Sequence, residues 1–183
     1  MVQSLTGSLL VAAPELLDPN FRRSVIYVLL HGEDGALGLV LNRPTELELT
    51  AALPQWADAA TEPPVIFAGG PVELGAALCL AEVEPGSEPL GWTPLSPTVG
   101  TFDVSADFLD RSAIRRLRVF LGYAGWDGGQ LEAEIAEGSW YVLDAQPSDA
   151  LTSTPDALWR EVLRRQQGTL AMVSLFPDDP KMN

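Results

Sequence analysis

The stretch LGYAGWDGGQLEAEI, residues 121–135, combines four glycines with a tyrosine and a tryptophan. An alternating apolar run at residues 116–121 precedes it and predicts a strand, and residues 130–137 predict a short acidic helix that ends at Gly138. The stretch is therefore predicted to connect a strand to a helix. Glycine adopts left-handed and closely packed backbone geometries that side chains forbid, and we expect Gly125 to need such a geometry.

Further strands are predicted on both sides of this stretch. They are apolar and β-branched runs with turn residues at both ends. Gly32 and Gly35 flank a two-residue turn that predicts a hairpin between two of them. In the run at 116–121, the alternation predicts that Arg116 and Arg118 point outward. The predicted strands are residues 8–13, 24–31, 36–41, 65–68, 76–81, 99–104, 116–121 and 140–143.

The helices are fewer and come mostly later in the chain. They are predicted at residues 49–59, which contain Pro54, and at 106–114, 130–137 and 154–166. Because hairpin strands come first and helices later, the order predicts an α+β fold with a mixed, largely antiparallel sheet. The 183 residues have an ordinary globular composition and predict a single domain over residues 1–183.

The charge of the chain restricts its partners. Lys and Arg number 11 against 25 Asp and Glu, a formal net charge of −14. Such a charge repels nucleic-acid phosphates and anionic membranes, so we expect neither direct nucleic-acid binding nor membrane binding. The single cysteine, Cys79, excludes an internal disulfide and is predicted to be a buried thiol. No targeting segment is evident, and a cytoplasmic location is expected.

Several stretches together resemble the AlgH/YqgE-like family of small bacterial proteins. They are LLVAAPELLDPNFRRSVIYVLLH at 9–31, GALGLVLNRP at 35–44, VIFAGGPV at 65–72, LGYAGWDGGQLEAEIAEGSW at 121–140 and PDDPKMN at 177–183. The resemblance implies an α+β fold in which the sheet bends into a partly closed barrel with helices packed around it. It brings a label of transcriptional regulator but no established reaction. Members often carry a histidine where this chain has Ala81.

His31 is the only histidine of the chain and is a candidate binding residue. It could act as a base or as a single metal ligand, although a site with two histidines from one chain is excluded. No G-x-S-x-G motif supports a serine triad. The other interpretation is a structural histidine at a strand end, hydrogen-bonded to backbone near the hairpin.

Asn42 and Arg43 follow the third predicted strand and form a second candidate. Arginine makes forked contacts with carboxylates and phosphates, so the pair could hold an anion or a partner's carboxylate. A structural role is equally compatible with their position: Asn42 would shape the exit of the strand, and Arg43 would pair with a neighbouring acid.

Tyr123 and Trp126 lie among the glycines and form a third candidate. They could present a recognition surface, or the glycines could permit close packing around both rings. A nucleotide loop is disfavoured because no Lys-Ser/Thr pair follows the glycines. The acids at 127, 132, 134 and 137 are read as a solvated face, and the arginines at 111–118 and 160–165 as salt-bridged surface residues.

Two functions from different classes remain. The first is a non-catalytic regulatory or interaction protein with no cofactor, metal or catalytic residue. The second is a small-molecule-binding protein or unrecognised hydrolase, with a site near His31, Asn42, Arg43 and the segment 123–126. A deep pocket that joins these residues would favour the second function, and scattered positions would favour the first.

Overall fold

A computed structural model describes residues 3–105 and 111–178. Its sheet is curled and forms a half-barrel with several helices, as the family resemblance implied, and it is largely antiparallel, as the order of the predicted elements indicated. The strand order is β10-β1-β2-β3-β9-β6-β8-β7, and β4 and β5 attach beside β9. The strands are β1 Ser8–Ala12, β2 Val25–Gly32, β3 Gly35–Val40, β4 Pro44–Glu48, β5 Val65–Ala68, β6 Val72–Val83, β7 Trp92–Pro94, β8 Val99–Phe102, β9 Ile114–Asp127 and β10 Trp140–Asp144.

The helices of the described residues are short. They are α1 Leu49–Ala52, α2 Gln130–Ala136, α3 Pro147–Ala150, α4 Leu158–Arg164 and α5 Thr169–Val173. Three-residue-per-turn helices cover Pro54–Ala59, Arg111–Ala113 and Pro155–Ala157. Pro54 therefore ends α1 and begins a tighter turn, because its ring forbids a continuous helix. The helix predicted at 106–114 begins outside the described residues, and its end is instead a tight turn followed by the first residue of β9.

Alternation along the strands separates two apolar cores. On β1, Leu9 and Val11 face one core, and Leu10 and Ala12 face the other. The first core is covered by α4, whose Trp159 ring nitrogen donates to the carbonyl of Ala12 at 2.8 Å. The second core is covered by α2 and contains Trp126. A third cluster, around Trp56 and Cys79, fills the far end of the sheet.

The predicted boundary of strand 116–121 was wrong. β9 continues to Asp127, so the glycine-rich segment is itself a strand that pairs with β3 and β6. The prediction that Arg118 points outward was also wrong. Its side chain is only 2% exposed and donates to the carbonyls of Thr152 and Glu62 at 2.7 and 2.8 Å. A simple alternation failed because β9 is covered on both faces in this part.

The turn after β5 lies close to the backbone of β9. The amide of Gly69 donates to the carbonyl of Leu121 at 2.8 Å. Gly70 has φ +153°, and a Cβ on it would lie 2.1 Å from the carbonyl carbon of Tyr123. Gly122, at φ +75°, would place a Cβ 2.4 Å from the carbonyl oxygen of Gly70. These two positions therefore require glycine.

Gly125 does not need a special geometry, and the prediction for it was wrong. A Cβ there would meet the Tyr123 ring at 3.7 Å, which is ordinary van der Waals contact. Its φ lies outside the left-handed range. The requirement for glycine falls instead three residues earlier, at Gly122, where β9 meets the Gly69-Gly70 turn.

Candidate functional site

His31 lies at the end of β2, and both of its ring nitrogens have partners. Nδ1 accepts a hydrogen bond from the amide of Leu5 at 3.0 Å. Nε2 therefore carries the proton in the neutral ring and donates to the carboxylate of Glu132 on α2 at 2.6 Å. The side chain is 1% exposed. The imidazole therefore links the N-terminal segment and α2 to the β2–β3 hairpin.

The hydrogen bond from His31 lowers the pKa of Glu132 below its ordinary value of 4.5. A carboxyl whose pKa falls on folding stabilises the fold above its unfolded pKa, and this contribution disappears as the pH falls through the folded value. We therefore expect Glu132→Gln to lower the urea midpoint at pH 7 and to change it much less at pH 3. Urea unfolding of both proteins at the two pH values measures the difference. An equal difference in urea midpoint at both pH values would contradict a stabilising hydrogen bond between His31 and ionised Glu132.

Asn42 and Arg43 hold the turn that precedes β2. The side-chain oxygen of Asn42 accepts a hydrogen bond from the backbone amide of Val25 at 3.0 Å, and its side-chain nitrogen donates to the backbone carbonyl of Arg23 at 2.8 Å. Arg43 donates to the carbonyls of Arg22 and of Asn42. Burial lowers the pKa of Arg43. Asn42 is thus committed to backbone, as one interpretation expected, and Arg43 pairs with carbonyls where an acidic neighbour was expected.

Trp126 is a core residue and Tyr123 is half-buried. The Trp126 ring is 7% exposed, and it packs edge-on against Trp140 with the ring centroids 6.1 Å apart. Phe21 stacks beside it at 6.5 Å. Tyr123 packs at the margin of the first core. Trp126 also borders a hollow of about 390 Å³ beside His31, so these two candidates lie together while Asn42 and Arg43 lie elsewhere.

Arg43 borders a groove that the sequence did not predict. Two hollows, of about 580 and 330 Å³, share Pro19 and Arg43 and so adjoin each other. Three arginines converge on the larger hollow, which is notable in a chain of net charge −14. We call the combined feature the arginine groove, and its lining residues are Leu17, Pro19, Asn20, Arg22, Arg23, Val40, Arg43, Ala68, Gly70, Pro71, Leu74 and Asp178.

Comparisons with known proteins place this architecture in a family. A family model described as AlgH-like matches residues 9–171. The chain belongs to the AlgH-like family. It is 52% identical to a UPF0301 protein of Streptomyces coelicolor over 187 aligned positions, which cover 100% of this chain and 97% of the relative. It is 48% identical to a UPF0301 protein of Thermobifida fusca, with 98% and 96% covered.

Solved structures support the same assignment. A crystal structure of a Corynebacterium diphtheriae protein superimposes with a TM-score of 0.87 at 28% identity, covering 96% of this chain and 94% of that one. The solution structure of the AlgH protein of Pseudomonas aeruginosa gives a TM-score of 0.70 at 29% identity, covering 98% and 100%. The half-barrel of this AlgH-like chain is therefore shared, whereas these names state no activity.

Two arginines of the groove in this AlgH-like chain, Arg22 and Arg23, had no role predicted from the sequence. An arginine pair inside the motif NFRRS, between two apolar runs of an acidic chain, was the available signal. Arg23 donates to the carbonyls of Phe176 and Pro177, and its guanidinium carbon lies 4.0 Å from the centroid of the Trp159 ring. Burial and the nearby Arg160 lower the pKa of Arg23.

Backbone strain also lies beside the arginine groove. Within the described residues, the non-glycine residues with positive φ are Arg23, at +58°, and Glu73, at +50°. Arg23 lines the groove and Glu73 precedes the lining residue Leu74. A non-glycine residue in this region costs of order 1–3 kcal/mol and tends to occur at functional sites. The contacts of Arg23 with Asn42, Phe176 and Pro177 hold its backbone in this strained conformation.

The other candidates of the AlgH-like chain have structural roles. Cys79 is buried as predicted, and desolvation raises its pKa, which disfavours the reactive thiolate. Among the outer arginines, Arg116 donates to Glu82 at 2.8 Å and Arg165 pairs with Asp149 at 2.6 Å, as the salt-bridge interpretation expected. Over residues 3–105 and 111–178, no group of three or more metal-ligating side chains converges. None of the helices described there is long and apolar enough to cross a membrane.

Proposed function

We propose that the chain is a non-catalytic interaction protein of the bacterial cytoplasm that binds a protein partner in the arginine groove. One observation carries this proposal: exposed apolar side chains border arginines in a concave surface. Leu74 is 67% exposed at one end, and Leu17 is exposed at the other. Arginine is enriched at protein interfaces and their buried centres are more apolar than the rest of the surface, so a concave surface that combines both fits a protein interface.

The positions of the other candidates support this proposal over a hydrolase. A catalytic base needs a nitrogen that can reach a substrate proton, and both His31 nitrogens already hold protein groups. Asn42 is committed to the backbone of Arg23 and Val25. His31 and Trp126 border one hollow, whereas Arg43 borders another, so no single pocket joins the residues proposed for a small-molecule site.

Any regulatory role would act through the bound partner. The family resemblance carries a label of transcriptional regulator, while the net charge of −14 opposes direct contact with DNA phosphates. An acidic chain with one basic groove can bind a protein component and leave nucleic acid to that component. Regulation by this chain is therefore proposed to be indirect.

Site-specific photo-crosslinking in bacterial cells tests the proposal. A photoreactive phenylalanine analogue replaces Leu74 in the groove, or Leu90, which is 69% exposed and lies outside it. We expect a discrete protein adduct from position 74, absent from position 90, and lost when Arg22→Glu is added. Equal adducts at both positions, or none at position 74, would contradict a partner site in the groove.

A further inference from the structure

We propose that the arginine groove recognises an acidic peptide segment, in which carboxylate side chains alternate with apolar ones. This inference rests on the proposed function and names the chemistry of the partner. Arg22, Arg23 and Arg43 line the larger hollow, whereas Asp178 is the only carboxylate among the lining residues described. Asp178 is already paired, because Arg160 donates to it at 2.6 Å. Among the described residues, the groove therefore has more positive charge than its acids neutralise.

Two of the three guanidinium groups, those of Arg23 and Arg43, are held in place and keep unused donors. Arg43 is fixed by the carbonyls of Arg22 and Asn42, and Arg23 by those of Phe176 and Pro177 and by the Trp159 ring. Each guanidinium has five N–H donors, so these contacts leave some unused. The Arg22 guanidinium makes no hydrogen bond or ion pair to residues 3–105 or 111–178 and is free to pair with a carboxylate.

The neighbouring hollow provides the apolar part of the site. Val40, Ala68, Pro71 and Leu74 line it, beside the close-packed Gly70. An apolar side chain of a partner would bury surface there while its flanking carboxylates reach the arginines. A free phosphate would leave this hollow unused. Nucleic acid would bring its backbone charge against a chain of net charge −14.

Titration calorimetry with defined peptides tests the inference on the full chain. The probe is a capped pentapeptide in which leucine alternates with glutamate, and its matched control carries glutamine in place of each glutamate. We expect the glutamate peptide to bind in the micromolar to millimolar range and the glutamine peptide at least about tenfold more weakly. Raising the salt concentration should weaken the binding of the glutamate peptide.

Two variants with the same change of charge locate the binding. Arg22→Gln removes the unengaged guanidinium of the groove, and Arg164→Gln removes an exposed arginine that does not line it. We expect Arg22→Gln to weaken the binding of the glutamate peptide at least about tenfold. Arg164→Gln should leave the affinity within about twofold of the wild type, since an exposed charge outside the groove is screened. Circular dichroism confirms that both variants fold.

Several outcomes would overturn the inference. Equal affinity for the two peptides, or an equal loss of affinity in the two variants, would show that the groove does not recognise carboxylates. Tighter binding of inorganic phosphate or of a single-stranded oligonucleotide than of the glutamate peptide would assign the arginines to phosphate. If the crosslink from position 74 persists while the glutamate peptide fails to bind, the interaction function stands and its acidic-peptide chemistry is wrong.

Discussion

Trp126→Ala is expected to lower the free energy of unfolding by about 3–5 kcal/mol, the cost of removing a large aromatic side chain from a packed core. The ring is buried, and it contacts Trp140 and Phe21 with favourable aromatic geometry. The strand that carries Trp126, β9, is fixed by hydrogen-bond ladders with β3 and β6, so the cavity left by the ring cannot collapse fully. Urea unfolding of the wild type and the variant measures this loss.

Two controls make the Trp126 result specific. Trp126→Phe keeps an aromatic ring and should cost clearly less than the alanine variant. Leu175→Ala truncates an exposed leucine and should change stability by no more than about 0.5 kcal/mol. A Trp126→Ala protein as stable as the Leu175→Ala protein would place the tryptophan outside the core and return it to the candidate binding residues.

Gly70→Ala is expected to lower the free energy of unfolding by about 3 kcal/mol or more. A Cβ there would lie 2.1–2.4 Å from backbone atoms of Tyr123 and Ala124, which cannot rotate away. To accommodate the methyl group, the turn after β5 must move away from β9. The expected loss combines about 1–3 kcal/mol of backbone strain with an overpacking cost of similar size. Thermal or urea unfolding measures the effect.

Gly125→Ala is the matched control for Gly70→Ala. Both substitutions add one methyl group to a glycine near Tyr123, but a Cβ at Gly125 meets only side-chain carbons, at 3.7 and 3.9 Å. We expect the Gly125 variant to keep wild-type stability within about 0.5 kcal/mol or to gain slightly, because alanine restricts the unfolded chain. Equal losses at the two positions would contradict the close approach of the turn to β9.

Much of the sheet was predictable because its strands carry local signals. The apolar run at 65–68 coincides with β5, and the Gly32–Gly35 turn joins β2 and β3 as predicted. β4 and β7 were missed. The sequence Pro44–Glu48 is polar and mostly exposed, so it carries no apolar alternation, and Trp92–Pro94 is only three residues long. Their pairing depends on neighbouring strands, which local patterns do not encode.

The errors around β9 have the same physical origin. Arg118 was predicted to point outward because alternation assumes one wet face, while β9 is covered by other elements on both sides. Gly125 was chosen from a cluster of glycines, but the requirement lies at Gly122, where the distant turn at Gly70 approaches. Long-range contacts decide both cases, and a single sequence does not display them.

The candidate site was only partly predictable. Arg43 was identified from its position at a strand end, and the structure places it between the two hollows of the arginine groove. Arg22 and Arg23 belong to the turn before β2, and Leu74 belongs to the start of β6. The fold brings these segments together, although about 50 residues separate them along the chain. His31 was a candidate by its chemistry alone, and its partner Glu132 lies on a helix about 100 residues away.

We propose that recognition occurs in the arginine groove and not beside His31. An amide chemical-shift titration of the isotope-labelled full chain with the glutamate peptide tests it most directly. The predicted result is that the largest shifts fall on residues 17–23, 42–43 and 68–74, and that residues 31–37 and 126 around the His31 hollow change little. Shifts concentrated on the His31 hollow would contradict recognition in the arginine groove, and no shifts at millimolar peptide would contradict its acidic-peptide chemistry.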